Sequence, residues 1–184
     1  MQIRPGAPRI IIACMSRLRR LMVSDRWFFI GCRLLPRRRI LSASEFAILA
    51  QVVQERRAEH RFLLTAWVFL PDHWHAIFFP SHPLTISRVR EVIKDGATKR
   101  INRTRRELGM LWQARFFDRA LRTVKKYNEK VEYIHVKAGL VTRPEAWPWS
   151  SMHDYTGSLQ RAVATPSELS VDRVLLPAQQ NTRI

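Results

Sequence analysis

The sequence predicts an α+β fold in which an antiparallel sheet carries helices on one face. Three observations predict it. Apolar and aromatic runs of strand length alternate with stretches of helical periodicity, in the order β-α-β-β-α-β-α. Two of the runs meet at a tight Pro71-Asp72 turn, which makes them antiparallel neighbours. An apolar fraction of 46% in 184 residues suffices for one core and one domain with short extensions. Strands around a hairpin, with intervening helices, give a layered sheet of ferredoxin-like type.

Residues 1–24 mix Pro5, Gly6 and Pro8 with a short apolar run, Ile10 to Ala13, and with Arg17, Arg19 and Arg20. The run is too short for a secretory signal, and the stretch is expected to be a basic, flexible extension. The domain proper is expected over 25–155. Its first strand, Arg26 to Arg33, is rich in aromatic and β-branched residues. Pro36 and Arg37-Arg38-Arg39 follow as a loop. Ser42 or Ser44 caps a helix from Glu45 to about Glu59, whose stripe of Phe46, Leu49, Val52 and Val53 belongs to the core. Strand two runs from Phe62 to Leu70, and strand three follows the turn and ends near Pro80. The second helical region, Leu84 to about Leu108, buries Ile86, Val89, Val92, Ile93, Ala97 and Ile101. Leu111 to Arg122 leads into a fourth strand, and Lys125 to Ala138 reads as a third helix with Gly139 as its C-cap. Arg143 to Ser151 is an aromatic, proline-punctuated return, and 156–184 is expected to be a loosely structured tail.

The charge speaks about partners. Lys and Arg number 32 against 15 acidic residues, for a net charge of +17. Such a surplus points to a polyanion, most often nucleic acid; the bland alternative is a merely solubilising surface. The second helix sharpens the point, because one face is apolar and the other carries Arg88, Arg90, Lys94, Lys99, Arg100, Arg103, Arg105 and Arg106 with few acids. Arg37, Arg38 and Arg39 stand beside a strand end, and Arg115, Arg119 and Arg122 alternate with apolar residues near strand four. These two groups, with Arg88, Lys94, Lys99, Arg100 and Arg103 of the helix, are candidates for phosphate contact. The two cysteines, Cys14 and Cys32, have no zinc-type spacing and suit a reducing cytoplasm. No apolar run reaches membrane-spanning length, so no membrane partner is expected.

Strand three begins His73-Trp74-His75. Side chains two apart on a strand leave the same face, so both imidazoles converge, and a convergent pair can hold a divalent metal or a phosphate. Most His-x-His pairs are incidental, so the rest of the chain must decide.

The segment around the pair and two further stretches decide it. Leu70-Pro-Asp-His-Trp-His-Ala-Ile77, Leu111-Trp-Gln-Ala-Arg-Phe-Phe-Asp-Arg119, and Tyr133-Ile-His135 followed by Val136-Lys-Ala-Gly-Leu-Val141 and Pro148-Trp-Ser-Ser151 resemble, in order, the signatures of the single-tyrosine HUH transposases (IS200-like transposases). The likeness is greatest to the REP-associated tyrosine transposases and runs from about Arg26 to Tyr155. The resemblance implies a ferredoxin-like fold, His73 and His75 as ligands of Mg²⁺ or Mn²⁺, and Tyr133 as the nucleophile that cleaves and rejoins single-stranded DNA beside REP-like hairpins. It also implies a monomer or homodimer at the nucleoid of the cytoplasm. Tyr127 and Tyr155 are the rival tyrosines; Tyr127 lies six residues before Tyr133, on another face of a helix. One departure stands out. The family commonly carries three further residues, ending Asn-Pro, after Tyr-Ile-His, where this chain passes directly from His135 to Val136. Lys137 then occupies the position four after Tyr133, and a protonated lysine cannot bind metal. His135 or a water is the expected substitute; the alternative is a catalytically impaired member that only binds folded single strands.

Overall fold

The structure, a computed structural model, describes residues 24–114, 117–123, 125–130, 147–151, 154 and 169–172. Six elements follow in order: β1 (Trp27–Arg33), α1 (Ala43–His60), β2 (Leu63–Phe69), β3 (His73–Phe79), α2 (Ile86–Arg105) and β4 (Phe117–Leu121). The strands form one sheet in the order β2-β3-β1-β4, with every neighbouring pair antiparallel. Each strand–helix–strand unit skips one position, and the other unit's strand fills it. This is the ferredoxin-like arrangement that the element order predicted.

Alternation along the strands assigns two faces. Phe28, Ile30 and Cys32 of β1, with Trp74, Ala76 and Phe78 of β3, join the core beneath α1 and α2. The helices meet that core through the expected stripes: Phe46, Leu49, Val52 and Val53 on α1, and Ile86, Val89, Ile93, Ala97 and Ile101 on α2 are all buried, whereas Val92, also expected there, is only half-buried. Burying each such aliphatic side chain contributes about 1.5–3 kcal/mol, which outweighs the modest propensities of β-branched residues in helices. Ser42 is the N-cap of α1, and its backbone N–H donates to Glu45 Oε2 at 2.8 Å. Thr85 caps α2 and accepts from the Arg88 N–H at 3.3 Å.

The opposite face is apolar as well. Trp27, Phe29, Ala66, Val68, Leu70, Ile77 and Leu121 form a second buried cluster, closed by Tyr127. Tyr127 lies in the helical stretch 125–130, and its ring meets Trp27 edge-on at 5.3 Å. The start of the third helix therefore covers the face that α1 and α2 leave open. Two-sided burial is why the strands read as continuous apolar runs.

Of the stretch 156–184, expected to be a loosely structured tail, residues 169–172 are described. Residues 169–172 are docked: Leu169 is buried in the helix-side core, the Asp172 N–H donates to Leu64 O at 2.8 Å, and Arg57 pairs with the Asp172 carboxylate. Residues 147–151 lie along the same edge of β2, where Phe69 N–H donates to Trp149 O and Ser151 N–H to Trp67 O, each at 2.9 Å. Both segments satisfy backbone groups that an edge strand would otherwise present to other chains. The expected N-terminal extension and the remainder of the third helix lie outside the described residues.

Candidate active site

β3 delivers His73 and His75 to the face opposite α1 and α2, with ring centroids 5.0 Å apart. The rings are held from three sides. Asp72, at the end of the turn, meets His73 Nδ1 at 2.5 Å. Arg33, at the end of β1, pairs with the other Asp72 oxygen at 2.8 Å. Burial pushes the Asp72 carboxyl up, but the His73 hydrogen bond and the charges of His73 and Arg33 overcome this and hold it below the usual carboxylate range. Asp72 is therefore ionised and accepts from Nδ1–H. That contact orients the His73 ring and leaves Nε2 as the nitrogen open to a metal, as a carboxylate does behind a metal-binding histidine.

His75 stacks on Phe29, with centroids 5.1 Å apart and planes 18° from parallel. Its register partner on β1 is Gly31. A Cβ at Gly31 would stand 2.8 Å from both Cε1 and Nδ1 of His75, so only glycine leaves room for the ring. Gly31, Cys32, Arg33, His73, His75, Gln113 and Phe117 line an open cleft of about 450 Å³. Gln113 is anchored by its side-chain amide to Leu34 O and by its N–H to Arg33 O, each at 2.9 Å. Cys32 adds no thiolate: burial, only partly offset by the charges of Lys94 and Arg90, pushes its pKa up to about 12.

Among the described residues no three His, Cys, Asp or Glu side chains gather into a metal cluster. The donor set present is two imidazoles with a carboxylate behind one of them. It fits a divalent ion whose remaining positions are taken by water or phosphate oxygen, and imidazole suits Mn²⁺ better than Mg²⁺.

The candidate phosphate-binding residues fall into distinct groups. Arg37, Arg39, Arg88, Lys99, Arg103, Arg119 and Arg122 are exposed. Arg119 pairs in register with Phe29, which puts it on the histidine face. Arg38, Lys94 and Arg100 are engaged internally: Arg38 with Glu107 at 2.5 Å, Lys94 with Gln113 O at 2.7 Å, and Arg100 with both oxygens of Glu55. Tyr133, His135, Lys137, Arg115 and the rival Tyr155 lie outside the described residues, whereas Tyr127 is a buried packing residue. Sequence reasoning passed over Lys130, whose Nζ stands 4.9 Å from the centroid of the same Phe29 ring that His75 stacks on. It also passed over Gly31, although a lone glycine inside the aromatic strand Trp27-Phe-Phe-Ile-Gly was the available signal.

An imidazole pair on a strand, with a carboxylate behind one ring, lies in a cleft of a ferredoxin-like sheet in a chain of net charge +17. Residues 32–137 match the family described as IS200-like transposase, and the chain belongs to that family. It is 31% identical over 143 residues to the REP-associated tyrosine transposase of Escherichia coli (strain K12), spanning 76% of this chain and 84% of that protein. A solved structure of a REP-associated tyrosine transposase bound to a REP hairpin superposes with a TM-score of 0.68 at 26% identity, covering 88% of this chain and all of the other. No helix among the described residues is long and apolar enough to cross a membrane.

Proposed function

We propose that this transposase cleaves and rejoins single-stranded DNA beside REP-like hairpins through a covalent 5′-phosphotyrosine at Tyr133. The observation that carries the reading is the fixed imidazole pair, with Asp72 behind His73 and Gly31 making room for His75. His73 and His75 would hold Mg²⁺ or Mn²⁺. The bound ion supplies Lewis-acid polarisation of the scissile phosphate and offsets charge as it develops.

The chain's own groups do the rest. The Tyr133 oxygen attacks phosphorus, forming an O–P bond and breaking the bond to the 3′ oxygen. That oxygen leaves with a proton as a 3′-hydroxyl, and the 5′-phosphate stays on the protein. Attack by another 3′-hydroxyl reverses the step and frees the tyrosine, so the phosphodiester bond energy is conserved. Arg119 and Lys130, on the histidine face, offer positive charge to the approaching backbone. Lys130 is three residues before Tyr133, and helical periodicity running on from 130 would put the two on one face. The hairpin partner is supported by the relative's name and by the solved complex; the DNA is met in the cytoplasm, at the nucleoid.

The test is incubation with a hairpin-bearing oligonucleotide in Mg²⁺ or Mn²⁺, followed by denaturing electrophoresis. A slow-migrating protein–DNA adduct is expected, faster to form in Mn²⁺ and absent in chelator. Hairpin binding without any adduct in either metal would favour the second reading, a binder of folded single strands. The Lys137 position, where the family commonly places Asn, is what keeps that reading open.

Gly31→Ala gives a check on the geometry. The added methyl must displace the His75 ring, and a misplacement of about 1 Å at a reacting centre costs on the order of 100-fold. The variant is expected to bind hairpin DNA normally and unfold near the wild-type temperature, with adduct formation slowed by about that factor. Wild-type kinetics in this variant would mean that the His75 position is not critical.

A further inference from the structure

Phe117 opens β4 and is 52% exposed in the cleft that holds His73 and His75. A single exposed apolar side chain is ordinary. What sets Phe117 apart is its register. Gly31 pairs with His75 on one side and with Phe117 on the other, so the three positions share one face of the sheet. Gly31 has no side chain, and the floor of the cleft is open between the two rings. The Phe117 ring meets Phe29 edge-to-face, with centroids 5.9 Å apart, and Phe29 stacks on His75 at 5.1 Å. Phe29 is buried, so Phe117 is propped on a fixed ring while half of its own surface faces outward. Cations surround it. Arg33 lines the same cleft and is exposed. Arg119, two residues along β4, leaves the same face, and Lys130 Nζ stands 4.9 Å from the Phe29 centroid.

A flat apolar ring among cations complements an unpaired nucleotide, whose base stacks and whose phosphate pairs with positive charge. Duplex offers no such face, because its bases already stack on one another. A second copy of this chain meeting the cleft about a two-fold axis would set Arg33 and Arg119 against their twins. We propose that Phe117 is the stacking platform for the base next to the scissile phosphate, and that it thereby sets that phosphate over the imidazole pair. Neighbouring strands stand about 4.8 Å apart, and β1 lies between β3 and β4, so ~10 Å separates His75 from Phe117 along the sheet. One nucleotide with its phosphate spans such a gap. Every base has a flat face, so the platform fixes the position of the strand rather than its sequence. The inference rests on the function proposed above and adds to it the residue that registers the strand at the cleft.

The experiment uses the full chain and hairpin-bearing oligonucleotides with a single-stranded flank. In a series of them one base of the flank is removed at a time, with sugar and phosphate kept. Affinities are measured in chelator, so that binding is read without chemistry. Phe117→Leu keeps an apolar side chain and loses the flat face; it is expected to lower affinity for the intact oligonucleotide about 10-fold, and Phe117→Trp to recover most of that loss. At one flank position, removal of the base is expected to weaken wild-type binding by a similar factor and to abolish the difference between wild type and Phe117→Leu, because the two changes delete the same contact. The bond cleaved in Mn²⁺, mapped on the adduct, is expected to adjoin that position. Wild-type affinity in Phe117→Leu overturns the proposal. So does a loss that stays the same whichever base is removed, which would leave Phe117 a packing partner of Phe29, and so does a bond cleaved away from the position found. A wild type that forms no adduct in either metal removes the functional reading instead, and with it the adjoining scissile phosphate, while the affinity series still decides whether Phe117 stacks on a base.

Discussion

Tyr133→Phe is expected to abolish the denaturant-resistant DNA adduct while leaving hairpin affinity nearly unchanged. The substitution keeps the ring and deletes the oxygen that would form the bond to phosphorus. Removing a covalent nucleophile costs on the order of 10⁴-fold or more, because no other group occupies its place in the reaction. Affinity survives because it comes from phosphate contacts spread over many Arg and Lys side chains. Tyr127→Phe and Tyr155→Phe are expected to retain the adduct; Tyr127 is 5% exposed and packs edge-on to Trp27. His73→Ala and His75→Ala should match Tyr133→Phe in the cleavage assay, since each deletes a donor of the metal pair. Adduct formation by Tyr133→Phe at an appreciable rate would move the nucleophile to another residue. Cleavage that persists in chelator would remove the metal from the reaction.

Much of this was legible in the chain because the signals were local. The Pro71-Asp72 turn and the apolar runs on either side gave the hairpin. The stripe from Ile86 to Ile101 gave α2, and the β-α-β-β-α-β order gave the interleaved sheet. The imidazole pair was legible because strand alternation is a two-residue rule. What was not legible depends on partners distant in sequence. Gly31 makes room for His75 only because β1 and β3 pair in one register. Arg38 and Arg100 look like free cations in sequence, yet Glu107 and Glu55, brought close by the fold, occupy them. Residues 169–172 carry too weak a pattern to announce an edge pairing, which depends on the free side of β2 and on Arg57. Asp72 was read as a turn residue, and its second role as the carboxylate behind His73 emerged with Arg33 beside it.

The largest expected effect on stability belongs to Arg105→Ala. The Arg105 side chain is 0% exposed and that of Glu45 is 2% exposed, with Nε 2.6 Å and Nη2 2.9 Å from the carboxylate oxygens. The pair ties the last turn of α2 to the first turn of α1, where Glu45 also accepts the Ser42 N–H. Burial raises the Glu45 pKa, but the Arg105 hydrogen bonds and charge, with Ser42, overcome this and leave it below the ordinary value. A depressed carboxylate pKa contributes stability above its unfolded value, about 4.3, and that contribution is lost as pH falls through the folded value. Removing the arginine strands a buried anion, which costs about 3–5 kcal/mol near neutral pH. In the variant only the more distant, exposed Arg39, with Nη2 3.7 Å from Glu45 Oε1, stays beside the enclosed carboxyl, so its pKa rises and it relieves the cost by taking up a proton. Denaturant unfolding of wild type and variant should therefore diverge most at neutral pH and converge on acidification. Arg105→Ala combined with Glu45→Gln should recover part of the loss and show a flatter pH response than Arg105→Ala alone. A variant as stable as wild type at pH 7, or a gap that widens below pH 5, would mean that the buried pair is not what joins the two helices.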